Sequence, residues 1–331
     1  GLVGAERCIR DRDKAGLDTI LVGDSLAMTV LGYESTVSVS LEEMIHHTKA
    51  VTRATKYAFV VGDMPFMSNT TSEREAIINA GRFMQEGGTD AVKVEGGVSA
   101  VHTVKAIVGA GMPVMGHVGL TPQHASLLGG YKTQGRDAQT AVKVIEDALA
   151  IEDSGAFAII LECVPDQVSK IVTERLRIPT ISYGAGMYCD GQGLVAHDIL
   201  GMFDSFTPKF AKKYMNLSTQ ILETFSSYVN DVVNQEFPTD EKSYHIKKTE
   251  IDKHQFLKPM KKYFDSKNIQ TDWKIIDRAP IEVLVNSLAQ SCPFTSIEKQ
   301  ALLEAKDITS RSNLMITLFE INAAGSPVKM N

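Results

Sequence analysis

Short apolar runs alternate with helical patterns over the first two thirds of the chain, and the runs stop in glycine or in an acid. The runs are typical of buried strands and cover residues 19–25, 58–64, 91–97, 113–118, 157–163 and 179–184. Helical spacing and capping residues predict helices that begin at Ser40 and that span 73–87, 99–110, 137–153 and 166–176. Because strands and helices alternate, the sequence predicts βα units with a parallel sheet.

The number of strands falls short of a complete barrel. Residues 194–197 are a candidate seventh strand, whereas an eighth is expected before Asp11, where residues 1–4 are too short. We therefore predict an α/β fold of the (β/α)8 TIM-barrel type whose first strand is missing or degenerate. A barrel without one strand exposes the edges of its neighbours, so incomplete closure is one expectation from this sequence.

The last third of the chain has a different pattern. Residues 208–244 show a helical apolar stripe, 246–280 are rich in lysine with fading periodicity, and 281–331 again show helical stripes. This pattern predicts a catalytic barrel domain over 1–245, a solvated linker with weak local structure over 246–280, and a small C-terminal helical appendage over 281–331.

Composition narrows the class of protein. With 331 residues, 44% apolar and 22% charged, the chain resembles an ordinary globular protein. A net charge of −6 provides no basic surface for nucleic acid or an anionic membrane, and no apolar run has membrane-spanning length. The four cysteines lie far apart without a CxxC spacing, which argues against a zinc site or a disulfide framework. Together with the lack of a recognisable export signal, they favour a cytoplasmic location.

Four predicted strands end in a carboxylate, contributed by Asp24, Asp63, Glu95 and Glu162. In the strand over 91–97, Lys93 and Glu95 share one face and two valines share the other. Taken alone, that strand is equally compatible with a solvated edge strand. The recurrence of an acid at the end of other predicted strands favours a catalytic rim, because (β/α)8 enzymes gather their reactive groups at the carboxyl ends of the strands.

The first three acids predict a metal site. Asp24, Asp63 and Glu95 would repel one another, and a hard divalent cation such as Mg²⁺ relieves that repulsion. Magnesium keeps positions for oxygen ligands of a substrate, so a 2-oxo acid suits the set. The alternative is that each acid caps the helix that follows it.

Three further side chains at the rim have two interpretations each. Lys93 is expected to pair with a substrate oxygen, or else with Glu95 as a buried ion pair. Glu162 is expected to act as a general base, or else as a further metal or outer-shell ligand. His117 at the end of its strand is a candidate for orienting the substrate or a cofactor, although a lone histidine is often structural.

The sequence resembles the ketopantoate hydroxymethyltransferase family over about 13–245. The motifs that carry the resemblance are ILVGDSL at 20–26, LGY at 31–33, GDMPF at 62–66, VKVEGG at 92–97, GHVGLTPQ at 116–123, GGYK at 129–132, LECVP at 161–165 and CDGQ at 189–192. The resemblance implies a magnesium-dependent barrel that transfers the one-carbon unit of 5,10-methylenetetrahydrofolate to 3-methyl-2-oxobutanoate through an enolate, giving 2-dehydropantoate for pantothenate biosynthesis. It also implies a cytoplasmic homo-oligomer, a decamer.

The resemblance assigns roles by motif. Asp24, Asp63 and Glu95 resemble the family's metal ligands. Asp24, Ser25, Asp63 and Lys93 resemble the groups that hold the 2-oxo acid, and Glu162 resembles the proton acceptor. The expected partners are therefore a small 2-oxo acid and a folate, with neither nucleic acid nor membrane.

Two other functions compete with this one. The first is a folate-independent lyase of the phosphoenolpyruvate/pyruvate barrel type, and the second is an inactive barrel that serves as a protein-binding scaffold. The tail resembles the helical end of Lon substrate-binding-domain proteins, through LVNSLA at 284–289 and PFTSIEKQALLEA at 293–305. That likeness lacks the β-rich part of those domains and therefore implies no activity.

Overall fold

The computed structural model describes residues 6–202, 207–245 and 248–324. The chain divides into two compact units, one that ends at Ser227 and one that begins at Tyr228, so the boundary precedes the predicted one at residue 245. Residues 1–4 lie outside the described part, and so does any strand that they form. In the described part, no helix is long and apolar enough to cross a membrane.

In the part of the chain that the structure describes, seven parallel strands form one sheet in the order of the sequence. The strands are β1 (Thr19–Val22), β2 (Phe59–Asp63), β3 (Ala91–Glu95), β4 (Val114–Gly119), β5 (Ala158–Glu162), β6 (Thr180–Tyr183) and β7 (Gly191–Gln192). Consecutive strands pair with each other from β1 to β7, and helices connect most of them, which is the arrangement of a (β/α) barrel. The predicted fold class is confirmed, and among the described residues no eighth strand joins the sheet.

The described helices up to the boundary between the units are α1 (Glu6–Lys14), α2 (Leu26–Thr29), α3 (Leu41–Ala54), α4 (Glu73–Gln85), α5 (Val101–Gly109), α6 (Ala138–Asp153), α7 (Asp166–Arg175), α8 (Ala196–Leu200) and α9 (Leu217–Val233), which spans that boundary. Apolar residues of α3 to α7 pack in one core with the strands. At the start of α3, the Ser40 hydroxyl accepts from the Glu43 N–H at 3.2 Å, and the Glu43 carboxylate accepts from the Ser40 N–H at 2.8 Å. This is the predicted capping box.

Strand β3, which carries Lys93 and Glu95, is buried at all five positions. Val92 and Val94 pack in the core between the sheet and its helices. Successive strand side chains alternate, so Lys93 and Glu95 point to the interior of the curled sheet, where each is 3% exposed. A smaller apolar cluster fills that interior and consists of Val61, Ala91, Met115, Ala158 and Ile160. The alternative of a solvated edge strand is therefore wrong.

The predicted strand over 194–197 is also wrong. The seventh strand is Gly191–Gln192, which pairs with Ile181 and Ser182 of β6, and a helix begins at Ala196. Only two apolar residues precede that helix, and one of them, Val195, is its extended N-cap residue. Of the helical stretch predicted over 208–244, the α-helical part is Leu217–Val233.

The second unit is helical throughout most of its described length. Its helices are α10 (Lys248–Ser266), α11 (Trp273–Arg278), α12 (Ile281–Ser291), α13 (Ser296–Glu304) and α14 (Ile308–Ala324). The prediction of weak local structure over 246–280 is wrong for α10 and α11, because Phe256, Met260, Tyr263 and Phe264 form a buried stripe that packs in one core with α14. The lysines between these positions make the apolar stripe difficult to recognise in the sequence. Residues 246–247 lie outside the described part.

Candidate active site

A cavity of about 550 Å³ lies at the carboxyl ends of the strands in the first unit. All seven side chains singled out in the sequence line it: Asp24, Ser25, Asp63, Lys93, Glu95, His117 and Glu162. Parallel strands place their carboxyl ends at the same edge, which explains why residues far apart in sequence meet here. The structure thus places the predicted residues together, while the role of each stays a prediction.

Lys93 lies at the centre of the polar cluster. Its Nζ is 3.1 Å from Asp63 Oδ1, 3.2 Å from Glu95 Oε1 and 3.1 Å from His117 Nδ1. Burial lowers the pKa of Lys93, but the carboxylates around it outweigh burial and raise that pKa well above its ordinary value. The side chain is therefore a permanent positive charge inside the rim.

Glu95 is held on both of its carboxylate oxygens. Oε1 lies 3.2 Å from Lys93 Nζ and 3.3 Å from His117 Nδ1, and Oε2 accepts a hydrogen bond from the backbone N–H of Gln123 at 3.1 Å. Burial raises the pKa of Glu95, but Lys93 and His117 outweigh burial and lower it to about 2. Glu95 is therefore ionised at any working pH, and its two oxygens already have protein partners.

Asp24 and Asp63 form a second, less compensated pair of carboxylates. The backbone N–H of Asp24 donates to Asp63 Oδ2 at 2.9 Å, which draws the ends of β1 and β2 together. Asp63 Oδ1 is buried. Lys93 Nζ lies 3.1 Å from this oxygen, but the two atoms do not have the geometry of a hydrogen bond. Burial raises the pKa of both carboxyl groups, and their mutual repulsion raises that of Asp24 further.

His117 connects the cluster to Glu162. Its Nε2 lies 3.2 Å from Glu162 Oε2, at ion-pair distance but without hydrogen-bond geometry. Burial and the Lys93 ammonium lower the pKa of His117. The carboxylates of Glu162 and Glu95 outweigh them and raise that pKa to about 9. Glu162 itself is the least buried of this group, with 19% of its side chain exposed.

The position of Glu162 depends on a close approach of β4 and β5. Gly119 is opposite Glu162 in the register, and the next residue, Leu120, donates its N–H to the Glu162 carbonyl at 2.8 Å. Gly119 has a φ of +92°, and a Cβ there would lie 2.4 Å from the Glu162 carbonyl oxygen. Glycine is required at this position, because it allows the left-handed backbone and the short distance.

Ser25 is the N-cap residue of the short helix α2. Its side chain makes no capping hydrogen bond and lines the cavity beside Asp24. This placement agrees with a hydroxyl available to a bound molecule.

Several polar side chains of the site were not predicted, and two of them lie beside the predicted acids. Gln123 bridges Asp24 and Glu95, and Tyr183 lines the cavity beside Glu162. Burial raises the pKa of Tyr183 to about 12, so its phenol stays protonated. The sequence could have indicated these two residues only by their positions, because Tyr183 ends a strand and Gln123 follows one. Neither side chain carries a charge.

The sequence of this chain matches a family of known proteins. The family model described as ketopantoate hydroxymethyltransferase matches residues 9–240, which include all the cavity residues. The chain belongs to the ketopantoate hydroxymethyltransferase family. Helices α10 to α14 lie outside the stretch that matches the ketopantoate hydroxymethyltransferase model, and the likeness of the tail to Lon substrate-binding-domain proteins stays a prediction.

Curated relatives agree with this assignment. The chain is 53% identical over 241 residues to 3-methyl-2-oxobutanoate hydroxymethyltransferase from Syntrophomonas wolfei subsp. wolfei, covering 73% of this chain and 87% of the relative. It is 54% identical over 232 residues to the enzyme of the same name from Carboxydothermus hydrogenoformans, covering 70% and 84%. Among solved structures, phosphonopyruvate hydrolase has a TM-score of 0.46 at 11% identity, covering 79% of this chain and 91% of that one.

Proposed function

We propose that the chain transfers the one-carbon unit of 5,10-methylenetetrahydrofolate to 3-methyl-2-oxobutanoate and releases 2-dehydropantoate. Membership of the family supports this function. The main observation in its support is the cavity, which contains a compact group of carboxylates around Lys93. His117 lies between this group and the partly exposed Glu162. The charged cluster suits an anionic oxo acid with a cation, and Glu162 suits a base.

Asp24 and Asp63 fit a bound Mg²⁺. Asp63 Oδ1 is a buried carboxylate oxygen without a hydrogen bond, and the raised pKa of Asp24 comes from burial and from the neighbouring Asp63 charge. Both features are relieved by a divalent cation. When bound, Mg²⁺ supplies a positive charge that polarises the ketone of the oxo acid and acidifies the adjacent carbon.

Glu95 has a different relation to this cation. In the described part of the chain, no set of three His, Cys, Asp or Glu side chains is placed to hold a metal ion by itself. Both oxygens of Glu95 are already engaged. We therefore propose that Asp24 and Asp63 are the direct protein ligands, since Mg²⁺ is commonly bound through one or two carboxylates and keeps waters. Glu95 contributes its negative charge nearby and fixes Lys93.

The remaining side chains act on the organic substrates. Lys93 offers its ammonium group to an anionic oxygen of the oxo acid, and the Ser25 hydroxyl offers a hydrogen bond. Glu162 takes the proton from C3, and the electron pair left at C3 forms the new bond to the methylene carbon. As that bond forms, the bond from the methylene carbon to one folate nitrogen breaks, and water then displaces the second nitrogen and provides the hydroxyl of the product. The proton from C3 and one proton of the water go to the two nitrogens, so tetrahydrofolate departs. His117 keeps the Glu162 carboxylate in place.

The test is exchange of the C3 hydrogen of 3-methyl-2-oxobutanoate for deuterium, followed by NMR with Mg²⁺ and without folate. Glu162→Gln is expected to slow exchange by about 100-fold or more, because it removes the general base. Glu146→Gln, on the exposed face of α6, is the matched control and is expected to exchange at the unaltered rate. Undiminished exchange in Glu162→Gln would contradict the role of this residue.

Product analysis tests the folate requirement. The full chain is incubated with the oxo acid and Mg²⁺, with and without 5,10-methylenetetrahydrofolate, and products are identified by mass spectrometry. We expect 2-dehydropantoate only when the folate is present. Carbon–carbon cleavage without folate would favour the lyase function instead.

A further inference from the structure

Gln123 contacts two acids of the site at once. Its backbone N–H donates to Glu95 Oε2 at 3.1 Å, and its side-chain Nε2 donates to Asp24 Oδ2 at 3.0 Å. The same Nε2 donates to the carbonyl oxygen of Met64 at 2.9 Å. Gln123 therefore joins the ends of β1, β2 and β3 to the loop that follows β4.

The surroundings determine the orientation of the amide. Both groups near Nε2, the Asp24 carboxylate and the Met64 carbonyl, are hydrogen-bond acceptors. Only the NH₂ side of an amide has two hydrogens to donate, so the reverse orientation would set oxygen against oxygen. Gln123 is 6% exposed, and its amide therefore makes these bonds with little competition from water.

The bond to Asp24 differs in kind from the bonds of Lys93. An amide fixes one carboxylate oxygen without bringing a positive charge, so the negative charge of Asp24 remains available to a cation. The hydrogen bond also lowers the pKa of Asp24, against burial and the Asp63 charge, which raise it. Groups that hydrogen-bond a metal ligand without contacting the metal commonly tune the affinity of the site for that metal.

We propose that Gln123 is a positioning residue of the cation site, which holds Asp24 in the orientation that lets Asp24 and Asp63 bind one divalent cation. This inference rests on the proposed function. It assigns Gln123 no contact with the reacting atoms. Its contact with Glu95 comes from the backbone N–H, so a substitution that keeps this N–H removes only the side-chain bonds to Asp24 and to the Met64 carbonyl.

The experiment measures Mg²⁺ binding to the full chain by isothermal titration calorimetry without substrate. Gln123→Met keeps the length of the side chain and removes both donors. We expect Mg²⁺ affinity to fall by about 10- to 100-fold, the range found when partners of metal ligands are replaced. The matched control is Gln192→Met, which removes an amide bond of the same kind, to the Gly186 carbonyl at 2.9 Å, on an exposed side chain.

A second readout separates positioning from general damage. C3 exchange is followed as a function of Mg²⁺ concentration. We expect Gln123→Met to need about 10- to 100-fold more Mg²⁺ for half-maximal exchange and to approach the wild-type rate at saturation. A merely structural role would lower the melting temperature and reduce exchange at every Mg²⁺ concentration, which would overturn the inference.

The remaining outcomes are also decisive. If wild type binds Mg²⁺ and Gln123→Met binds it equally well, this inference fails while the proposed function stands. If wild type binds no Mg²⁺, the proposed cation site fails as well. Should Gln123→Met not fold, Gln123→Asn replaces it, since this variant keeps a buried amide but shortens its reach by one methylene; unaltered Mg²⁺ affinity in that variant would overturn the inference.

Discussion

At the scale of single residues, the site is a balance of buried charges around Lys93. Three acids share the strand ends with one ammonium group, and the nearest carboxylates to that group are those of Asp63 and Glu95. A buried ion is tolerable only when its partners compensate the loss of water. Of the two interpretations offered by the sequence, the structure shows the buried ion pair of Lys93 with Glu95, while the pairing of Lys93 with a substrate oxygen stays a prediction.

Removing the Lys93 charge is expected to destabilise the chain strongly. In Lys93→Met, Asp63 and Glu95 stay buried without their cationic partner, and breaking a buried pair in this way costs about 3–5 kcal/mol. Urea unfolding in the presence of a chelator measures the change. Lys105→Met, at an exposed position of α5, is expected to leave stability nearly unaltered. Equal stabilities for the two variants would show that Lys93 does not compensate these acids.

The acids could be predicted from sequence because strand periodicity and a shared strand end fix where they point. Gln123 could not, since a neutral amide in an irregular loop follows no period. Its importance comes from two contacts made across the rim, to Asp24 and Glu95, which only the folded chain brings within reach.

At the scale of elements, six of the seven strands in the described sheet were predictable, whereas the seventh strand and the lysine-rich helix α10 were not. The six runs that form β1 to β6 are mostly apolar and have a glycine or an acid at or next to their ends, so their boundaries are visible in the sequence. In α10, apolar positions such as Phe256 and Met260 are separated by lysines and by Pro259. Burial against α14 stabilises that helix, which is a tertiary effect.

The approach of β4 to β5 can be tested at Gly119. Gly119→Ala forces alanine into φ +92° and sets its Cβ 2.4 Å from the Glu162 carbonyl. Gly111→Ala is the matched control, because Gly111 has a φ of +88° with no atom within 4 Å of a Cβ. Both variants incur the backbone strain of about 1–3 kcal/mol, and Gly119→Ala is expected to lose about 1–3 kcal/mol more through overpacking.

Thermal unfolding and C3 exchange measure this difference. Because Glu162 is displaced only in Gly119→Ala, we expect exchange to slow in that variant and to be retained in Gly111→Ala. Similar behaviour of the two variants would mean that the close approach does not position Glu162.

At the scale of the whole molecule, the chain joins a family barrel to a separate helical unit. The family match ends at residue 240, and every described residue that lines the site cavity precedes Ser227. The second unit has its own core, built around Phe256, Tyr263 and Phe319. The sequence could identify the first unit through its motifs, whereas the decamer implied by the resemblance stays a prediction.

This separation predicts that damage to the second core leaves the chemistry intact. Phe319 is fully buried and has ring contacts at 5.6 Å with Phe256 and 5.1 Å with Tyr263. Phe319→Ala is expected to destabilise the second unit by about 3–5 kcal/mol through the cavity it leaves. Ile321→Ala, at a position of the same helix that is 62% exposed, is the control and is expected to have little effect.

The single tryptophan makes the two units separable by experiment. Trp273 belongs to α11 in the second unit, where its ring lies 6.1 Å from that of Phe264, so its fluorescence during urea unfolding follows the second core. We expect the fluorescence transition of Phe319→Ala to move to lower urea while C3 exchange, which depends on the first unit, keeps its wild-type rate in buffer. Loss of exchange in parallel with the fluorescence transition would show instead that the family barrel requires the second unit to remain folded.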